Sequence, residues 1–112
     1  QLEEMIFEIT TSGYIPIMAH PERYRYINDP VKEYSRFKEL GVMLQLDINS
    51  LGGFYGKDAK KKAEILSKHG MIDFLGSDIH HHKQTQFLDE VFHSEAYAKV
   101  WENNTILNHE LG

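Results

Sequence analysis

The sequence contains no cysteine among its 112 residues. This absence excludes a cysteine nucleophile, and it agrees with a reducing compartment in which disulfides do not form. No apolar run approaches the ~20 residues of a membrane-spanning helix, and no signal peptide opens the chain. We therefore expect a cytoplasmic protein that does not insert into a membrane.

Positive charge is also scarce, with 12 Lys and Arg against 17 Asp and Glu and a net charge of -5. Binding to a nucleic acid backbone needs a basic surface, so this balance argues against a nucleic acid partner. The composition is 41% hydrophobic and 26% charged, which is ordinary for a globular chain. The length predicts one domain at most.

Apolar residues recur at helical spacing in three segments, each of which ends at a glycine: 2–13, 29–41 and 57–70. In the first segment the apolar face consists of Leu2, Met5, Ile6 and Ile9. In the second, Asp29 is predicted to be the N-cap, with Pro30 at the first helical position. The third has its lysines outward and an inner face of Ala59, Ala63 and Leu66.

A short apolar run follows each of these glycines: "YIPIMA", "VMLQL" and "MIDFLG". Runs that are apolar on both faces suit buried parallel strands. Gly13, Gly41 and Gly70 lie 28 and 29 residues apart, which is the length of one helix-plus-strand unit. The repeat predicts an α/β fold, either a parallel sheet or a barrel.

Polar residues follow all three predicted strands: His20 after the first, Asp47 and Asn49 after the second, Asp78 and His80 after the third. In parallel α/β folds this end of the sheet carries the functional site. A carboxylate and an imidazole together suit manganese, iron or zinc. We therefore interpret the strand ends as a metal site, although a turn-capping Asp78 and an exposed His80 remain the alternative.

The neighbouring polar residues have more than one interpretation. Arg23 is either a surface ion-pair partner, for instance of Glu22, or a planar clamp on phosphate. Asp47 and Asn49 are better explained as caps of the "SLGGFYGKD" loop than as site residues. The glycines of that loop match no phosphate-binding or dinucleotide-binding fingerprint.

The remaining residues offer less chemistry. His81 and His82 are expected to be exposed loop residues, and a place in the lining of the site is the alternative. The stretch "QFLDEVFHSEAYAKVWENN" is predicted to be helical, with a break at which Ser94 serves as a new N-cap. Its expected packing residues are Phe87, Val91, Tyr97 and Trp101.

Three motifs, "IPIMAHPERY", "LQLDINSLGGFYGK" and "FLGSDIHH", resemble in this order the carboxyl-terminal half of the bacterial PHP-type tyrosine-protein phosphatases of capsular and exopolysaccharide synthesis. The resemblance covers essentially the whole chain. It implies a distorted TIM-like barrel, of which this chain supplies about three βα units and C-terminal helices. It also implies a multinuclear Mn²⁺ cofactor, with Fe, Zn or Mg as alternatives.

The resemblance assigns roles to individual residues. His20, Asp78 and His80 match metal ligands, Arg23 matches the arginine that holds the substrate phosphate, and Arg23 and Asp78 are the implied catalytic residues. The implied reaction is hydrolysis of phosphotyrosine by metal-activated water, on an autophosphorylated bacterial tyrosine kinase. A histidinol-phosphatase-like phosphoesterase and a non-catalytic metal-binding module are the alternatives.

The sequence departs from the family pattern in two ways. Asp47 stands where the family commonly has Asn. An amino-terminal "H-x-H" motif and the intervening acidic ligands are absent. We therefore expect residues 1–112 to be the carboxyl-terminal portion of a single PHP domain, with little activity by itself.

Overall fold

The computed structural model describes residues 2–77 and 88–108. In chain order, its helices and strands are α1 (Leu2–Thr11), β1 (Ile17–Ala19), α2 (Pro30–Glu39), β2 (Met43–Asp47), α3 (Lys57–Lys68), β3 (Phe74–Gly76) and α4 (Glu95–Asn103). Short 3-10 turns follow β1 and β2, at Pro21–Arg23 and Ile48–Gly52. Residues 88–92 are also helical.

The three strands form one parallel sheet in the order β1-β2-β3. Ile17 pairs with Met43 in the first ladder, and Gln45 pairs with Phe74 in the second. The predicted α/β class with parallel strands is therefore confirmed. Because the strands are parallel and adjacent, the residues that follow β1 and β2 emerge at the same edge of the sheet.

The predicted helix ends are confirmed by the backbone. Gly13, Gly41 and Gly70 have φ angles of 90°, 99° and 67°, in the left-handed region that suits the residue after a helix. At the start of α2, the Asp29 carboxylate accepts a hydrogen bond from the Lys32 N–H at 3.2 Å. These local signals therefore set the boundaries of the helices.

The inner face of α3 is buried as predicted and consists of Ala59, Ala63 and Leu66. Lys62 contradicts the expectation that the lysines of this helix point outward, because it is 5% exposed. Its ammonium donates a hydrogen bond to the Tyr24 carbonyl at 2.9 Å and lies 3.0 Å from the Asp58 carboxylate. Two oxygen partners explain how its charge is accommodated in the interior.

The outer helices match the predicted packing in part. Ser94 caps α4, since its hydroxyl accepts a hydrogen bond from the Tyr97 N–H at 3.2 Å. Val91 is buried, but Trp101 is 50% exposed and the expectation that it packs inside is wrong. Met5 on α1 is likewise 56% exposed. Phe87 lies outside the described residues.

The two outer strands of the sheet differ in how their edges are covered. At β3, the Asn108 side chain accepts a hydrogen bond from the Leu75 N–H at 2.9 Å and donates one to the Leu75 carbonyl at 2.8 Å. This side-chain amide therefore makes the two hydrogen bonds that a neighbouring strand would make with Leu75. At β1, Ile17 is 42% exposed, and the preceding Ile15 is 64% exposed. None of the described helices is long and apolar enough to cross a membrane.

Candidate active site

His20 directly follows β1 and has an unusual backbone conformation. Its φ and ψ angles are 56° and 46°, which makes it the one non-glycine residue with positive φ among the described residues. Its N–H donates to the Gln45 carbonyl at 3.0 Å, so the β1–β2 ladder continues to this residue. A left-handed histidine is strained, and such strain is typical of functional positions.

Asp47 ends β2, and its side chain is fully buried. Its Oδ1 accepts a hydrogen bond from the Asn49 N–H at 2.9 Å, which confirms the predicted capping role. Its Oδ2 lies 3.8 Å from His20 Nδ1 and 3.5 Å from an Arg23 terminal nitrogen. Asp47 therefore also lies in the candidate site, whereas the sequence interpretation favoured its capping role.

Arg23 ends the 3-10 turn that follows His20, and its side chain is 33% exposed. The guanidinium carbon lies 3.9 Å from the centroid of the Tyr55 ring, so a cation–π contact adds to the ion pair with Asp47. These two contacts orient the planar group. Arg23 pairs with Asp47, whereas the Glu22 carboxylate is directed to other partners.

Glu22 belongs to the same turn, and it is completely buried. Its Oε2 accepts hydrogen bonds from the Ser50 hydroxyl at 2.6 Å and from the Asp47 N–H at 3.2 Å. Burial raises the pKa of Glu22 to about 7, and the nearby Asp47 charge adds to the effect, while the hydrogen bonds oppose it. Glu22 thus joins the turn after β1 to the turn after β2.

The prediction that Asn49 caps the loop through its side chain is wrong. Asn49 is fully buried, and within the part of the chain that the structure describes its side-chain oxygen and nitrogen make no hydrogen bond. The cap comes from Asp47, which precedes it. A buried amide without a hydrogen-bond partner among the described residues is uncommon in proteins.

The described donors fit part of a metal site. A metal ion with bonds of about 2.1 Å can contact both His20 Nδ1 and Asp47 Oδ2, because these atoms are 3.8 Å apart. An imidazole and a carboxylate are a donor set for manganese, iron or zinc. Across residues 2–77 and 88–108, however, no group of three His, Cys, Asp or Glu side chains is placed to hold a metal. A complete site needs further ligands.

Four of the residues singled out in the sequence, Asp78, His80, His81 and His82, lie outside the described residues. The first two follow β3 by two and four residues, and β3 pairs with the carboxyl-terminal part of β2. Their assignment as metal ligands therefore stays a prediction.

A cleft of about 620 Å³ opens beside Arg23. Its lining comes from the turn after β1 and from the start of α3, and consists of Glu22, Arg23, Arg25, Tyr55, Gly56, Lys57, Asp58 and Ala59. A second cavity, of about 500 Å³, lies between α3 and α4. Its charged lining residues are two lysines and two glutamates.

The chain matches the family described as capsular polysaccharide synthesis, CpsB/CapC, over residues 1–100. It belongs to the CpsB/CapC family. The resemblance seen in its three motifs is thereby confirmed.

Relatives and a solved structure agree with this membership. The tyrosine-protein phosphatase YwqE of Bacillus subtilis is 32% identical over 113 residues, which cover 94% of this chain and 44% of YwqE. CapC of Staphylococcus aureus is 31% identical over 77 residues, which cover 69% of this chain and 30% of CapC. This CpsB/CapC chain thus spans less than half the length of these relatives.

The structural match is to a chain from the crystal structures of YwqE from Bacillus subtilis and CpsB from Streptococcus pneumoniae, which are described as metal-dependent tyrosine phosphatases. The TM-score is 0.69 at 31% sequence identity, and the match covers 95% of this chain and 49% of that chain. The fold of this chain is therefore that of the corresponding part of the family.

Glu22, Ser50 and Tyr55 are further described residues around the candidate site, and sequence reasoning did not assign them there. Asp47 had a detectable signal, because it follows a predicted strand in the same way as His20. Glu22 and Ser50 had none, since a polar residue in a polar loop is normally exposed.

Proposed function

We propose that the complete protein is a metal-dependent protein-tyrosine phosphatase of capsular or exopolysaccharide synthesis. The observation that carries the proposal is the convergence of His20, Arg23 and Asp47 at the carboxyl ends of two adjacent parallel strands. Membership of the CpsB/CapC family and the activity named for YwqE support it. We also propose that residues 1–112 are the carboxyl-terminal portion of one distorted, TIM-like PHP barrel.

In this proposal His20, together with Asp78 and His80, holds the metal, which is Mn²⁺ with Fe, Zn or Mg as alternatives. When bound, the metal supplies Lewis-acid activation of water and neutralises charge on the phosphoryl group. The chain's own residues position the substrate. Arg23 binds the phosphate oxygens through its planar guanidinium, and Tyr55 and Asp47 fix the plane of that group.

The proposed substrate is a phosphotyrosine protein, namely an autophosphorylated bacterial tyrosine kinase in the cytoplasm. The phosphate of phosphotyrosine is an anion, and Arg23 offers a planar cation that can bind it. No cysteine is needed for the reaction, in agreement with a sequence that has none.

The test is hydrolysis of a phosphotyrosine peptide by the complete protein, with Mn²⁺ and with a chelator. His20→Ala should abolish the Mn²⁺-dependent activity and weaken Mn²⁺ binding measured by calorimetry. Arg23→Lys should lower kcat/KM by about 10- to 100-fold, the loss expected for a charged hydrogen bond to phosphate, with unchanged metal binding. Lys61→Gln, an exposed change on α3, serves as the control.

Two results would contradict the proposal. Activity that is insensitive to both the chelator and His20→Ala would show that these residues are structural. Turnover of histidinol phosphate without turnover of phosphotyrosine peptides would show that the substrate is a small phosphate ester and not a phosphotyrosine protein. The 112-residue chain by itself is expected to show little turnover, because it carries part of the ligand set.

A further inference from the structure

The cleft beside Arg23 has an excess of positive charge in a chain whose net charge is -5. Three cationic residues line it: Arg23, Arg25 and Lys57. The second cavity, between α3 and α4, has equal numbers of cationic and anionic residues in its lining. The positive charge is therefore a local property of the cleft next to the phosphate-binding arginine.

The two acidic residues of the lining do not cancel this charge. Asp58 lies 3.0 Å from the ammonium of Lys62, which is outside the lining. Glu22 is completely buried, and its Oε2 is held by Ser50 and by the Asp47 N–H. The two acidic residues of the lining therefore already have partners, and Arg25 and Lys57 are the exposed cations of the cleft.

Arg23 differs from the other two cations in its contacts. It is paired with Asp47 and stacked on Tyr55, and in the proposed function it binds the phosphate that reacts. Arg25 and Lys57 are exposed, and within residues 2–77 and 88–108 their side chains form no ion pair. Arg25 lies in the loop beyond the Pro21–Arg23 turn, Lys57 begins α3, and both line the same cleft.

We propose that Arg25 and Lys57 form a second anion-binding position, which selects phosphotyrosine substrates carrying another negative group close to the phosphotyrosine. This inference rests on the proposed phosphatase function and deepens it. The group recognised is an acidic side chain or a second phosphotyrosine of the same peptide. Tyr55, on which Arg23 stacks, belongs to the same lining.

The experiment compares three peptides that share one phosphotyrosine and differ in the flanking residues: neutral, glutamate-containing and doubly phosphorylated. The complete protein with Mn²⁺ is expected to prefer both anionic peptides in kcat/KM. Arg25→Gln and Lys57→Gln should each lower kcat/KM on them by about two- to fivefold, the range for an exposed ion pair, and leave the neutral peptide unchanged. The preference should shrink from ~0.05 to ~0.5 M salt because screening weakens exposed charge pairs.

Lys61→Gln is the matched control, because it removes the same charge from the same helix outside the cleft. An equal effect of Lys61→Gln, or equal kcat/KM on all three peptides, would overturn the inference while phosphotyrosine hydrolysis stands. A preference for the doubly phosphorylated peptide alone would identify phosphate as the group recognised. Failure to hydrolyse any of the peptides would contradict the proposed phosphatase function, and this inference would fail with it.

Discussion

Glu22 is a buried carboxyl group whose ionisation depends on its surroundings. Burial raises its pKa from 4.5 to about 7. At pH values between 4.5 and about 7, the folded protein therefore keeps a proton on Glu22 that the unfolded chain has released. This contribution to stability is fully present below pH 4.5 and is lost as the pH rises through 7.

We therefore predict that the free energy of unfolding of the metal-free protein falls as the pH rises from about 4.5 to 7, by roughly 3 kcal/mol at most. Glu22→Gln keeps the shape of the side chain but cannot ionise, so it should flatten this part of the profile. Urea unfolding followed by circular dichroism across the pH range measures both proteins. Parallel profiles for the two would show that Glu22 does not titrate in this range.

At the scale of elements, α2 is connected to the turn that carries His20 and Arg23. The buried Tyr34 hydroxyl donates a hydrogen bond to the Pro21 carbonyl at 2.7 Å, and burial raises the Tyr34 pKa. Pro21 stands between the two site residues in the sequence. The helix thus fixes the position of the turn through one hydrogen bond.

Tyr34→Phe should destabilise the protein by about 1–3 kcal/mol, because the buried Pro21 carbonyl loses its partner. We also expect a lower kcat/KM on phosphotyrosine peptides, since the turn that holds Arg23 becomes less constrained. Urea unfolding and steady-state kinetics measure the two effects. Tyr14→Phe removes a hydroxyl from a residue that is 72% exposed and should change neither; comparable losses in both variants would refute the role of the hydrogen bond.

The elements also show what could be predicted from the sequence. Helix ends were predictable because their signals are local: Asp29 and Ser94 cap residues three positions away, and Gly41 adopts the conformation that ends a helix. The contact between Glu22 and Ser50 joins residues 28 apart in the sequence. Neither helical nor strand periodicity reports such a contact, so the buried part of the site could not be predicted.

The strand order was predictable for a similar reason. Consecutive helix-plus-strand units place neighbouring strands side by side, so His20 and Asp47 were expected at one edge of the sheet. The distances between their side chains were not, because they depend on the left-handed backbone of His20. The location of the site therefore followed from topology, and its geometry required the structure.

At the scale of the whole molecule, the two outer edges of the sheet differ among the residues that the structure describes. Asn108 occupies the hydrogen-bonding groups of Leu75 on β3, whereas β1 presents the exposed Ile17. An open apolar edge strand is a template for pairing with another chain. In the proposed complete barrel, another strand of the same domain would cover this edge.

We predict that the isolated 112-residue chain associates with itself as its concentration rises. Ile17→Lys should reduce this association, because a charged residue on an edge strand opposes pairing. Sedimentation velocity over a range of concentrations measures it. Phe92→Lys is the control, since Phe92 is also 42% exposed but lies on no strand; a monomer at all concentrations would contradict the prediction.

The left-handed backbone of His20 lowers the stability of the fold, while its imidazole serves the proposed activity. A histidine in this conformation costs of order 1 kcal/mol, whereas glycine adopts it without a steric penalty. A library selected for heat resistance alone should therefore enrich His20→Gly or His20→Asn, and the enriched variants would lose the imidazole at the end of β1. A second library would be selected for heat resistance and for catalysis together. If histidine persists at this position only there, the stability gained by the variants of the first library measures how much fold stability the reaction requires the protein to give up.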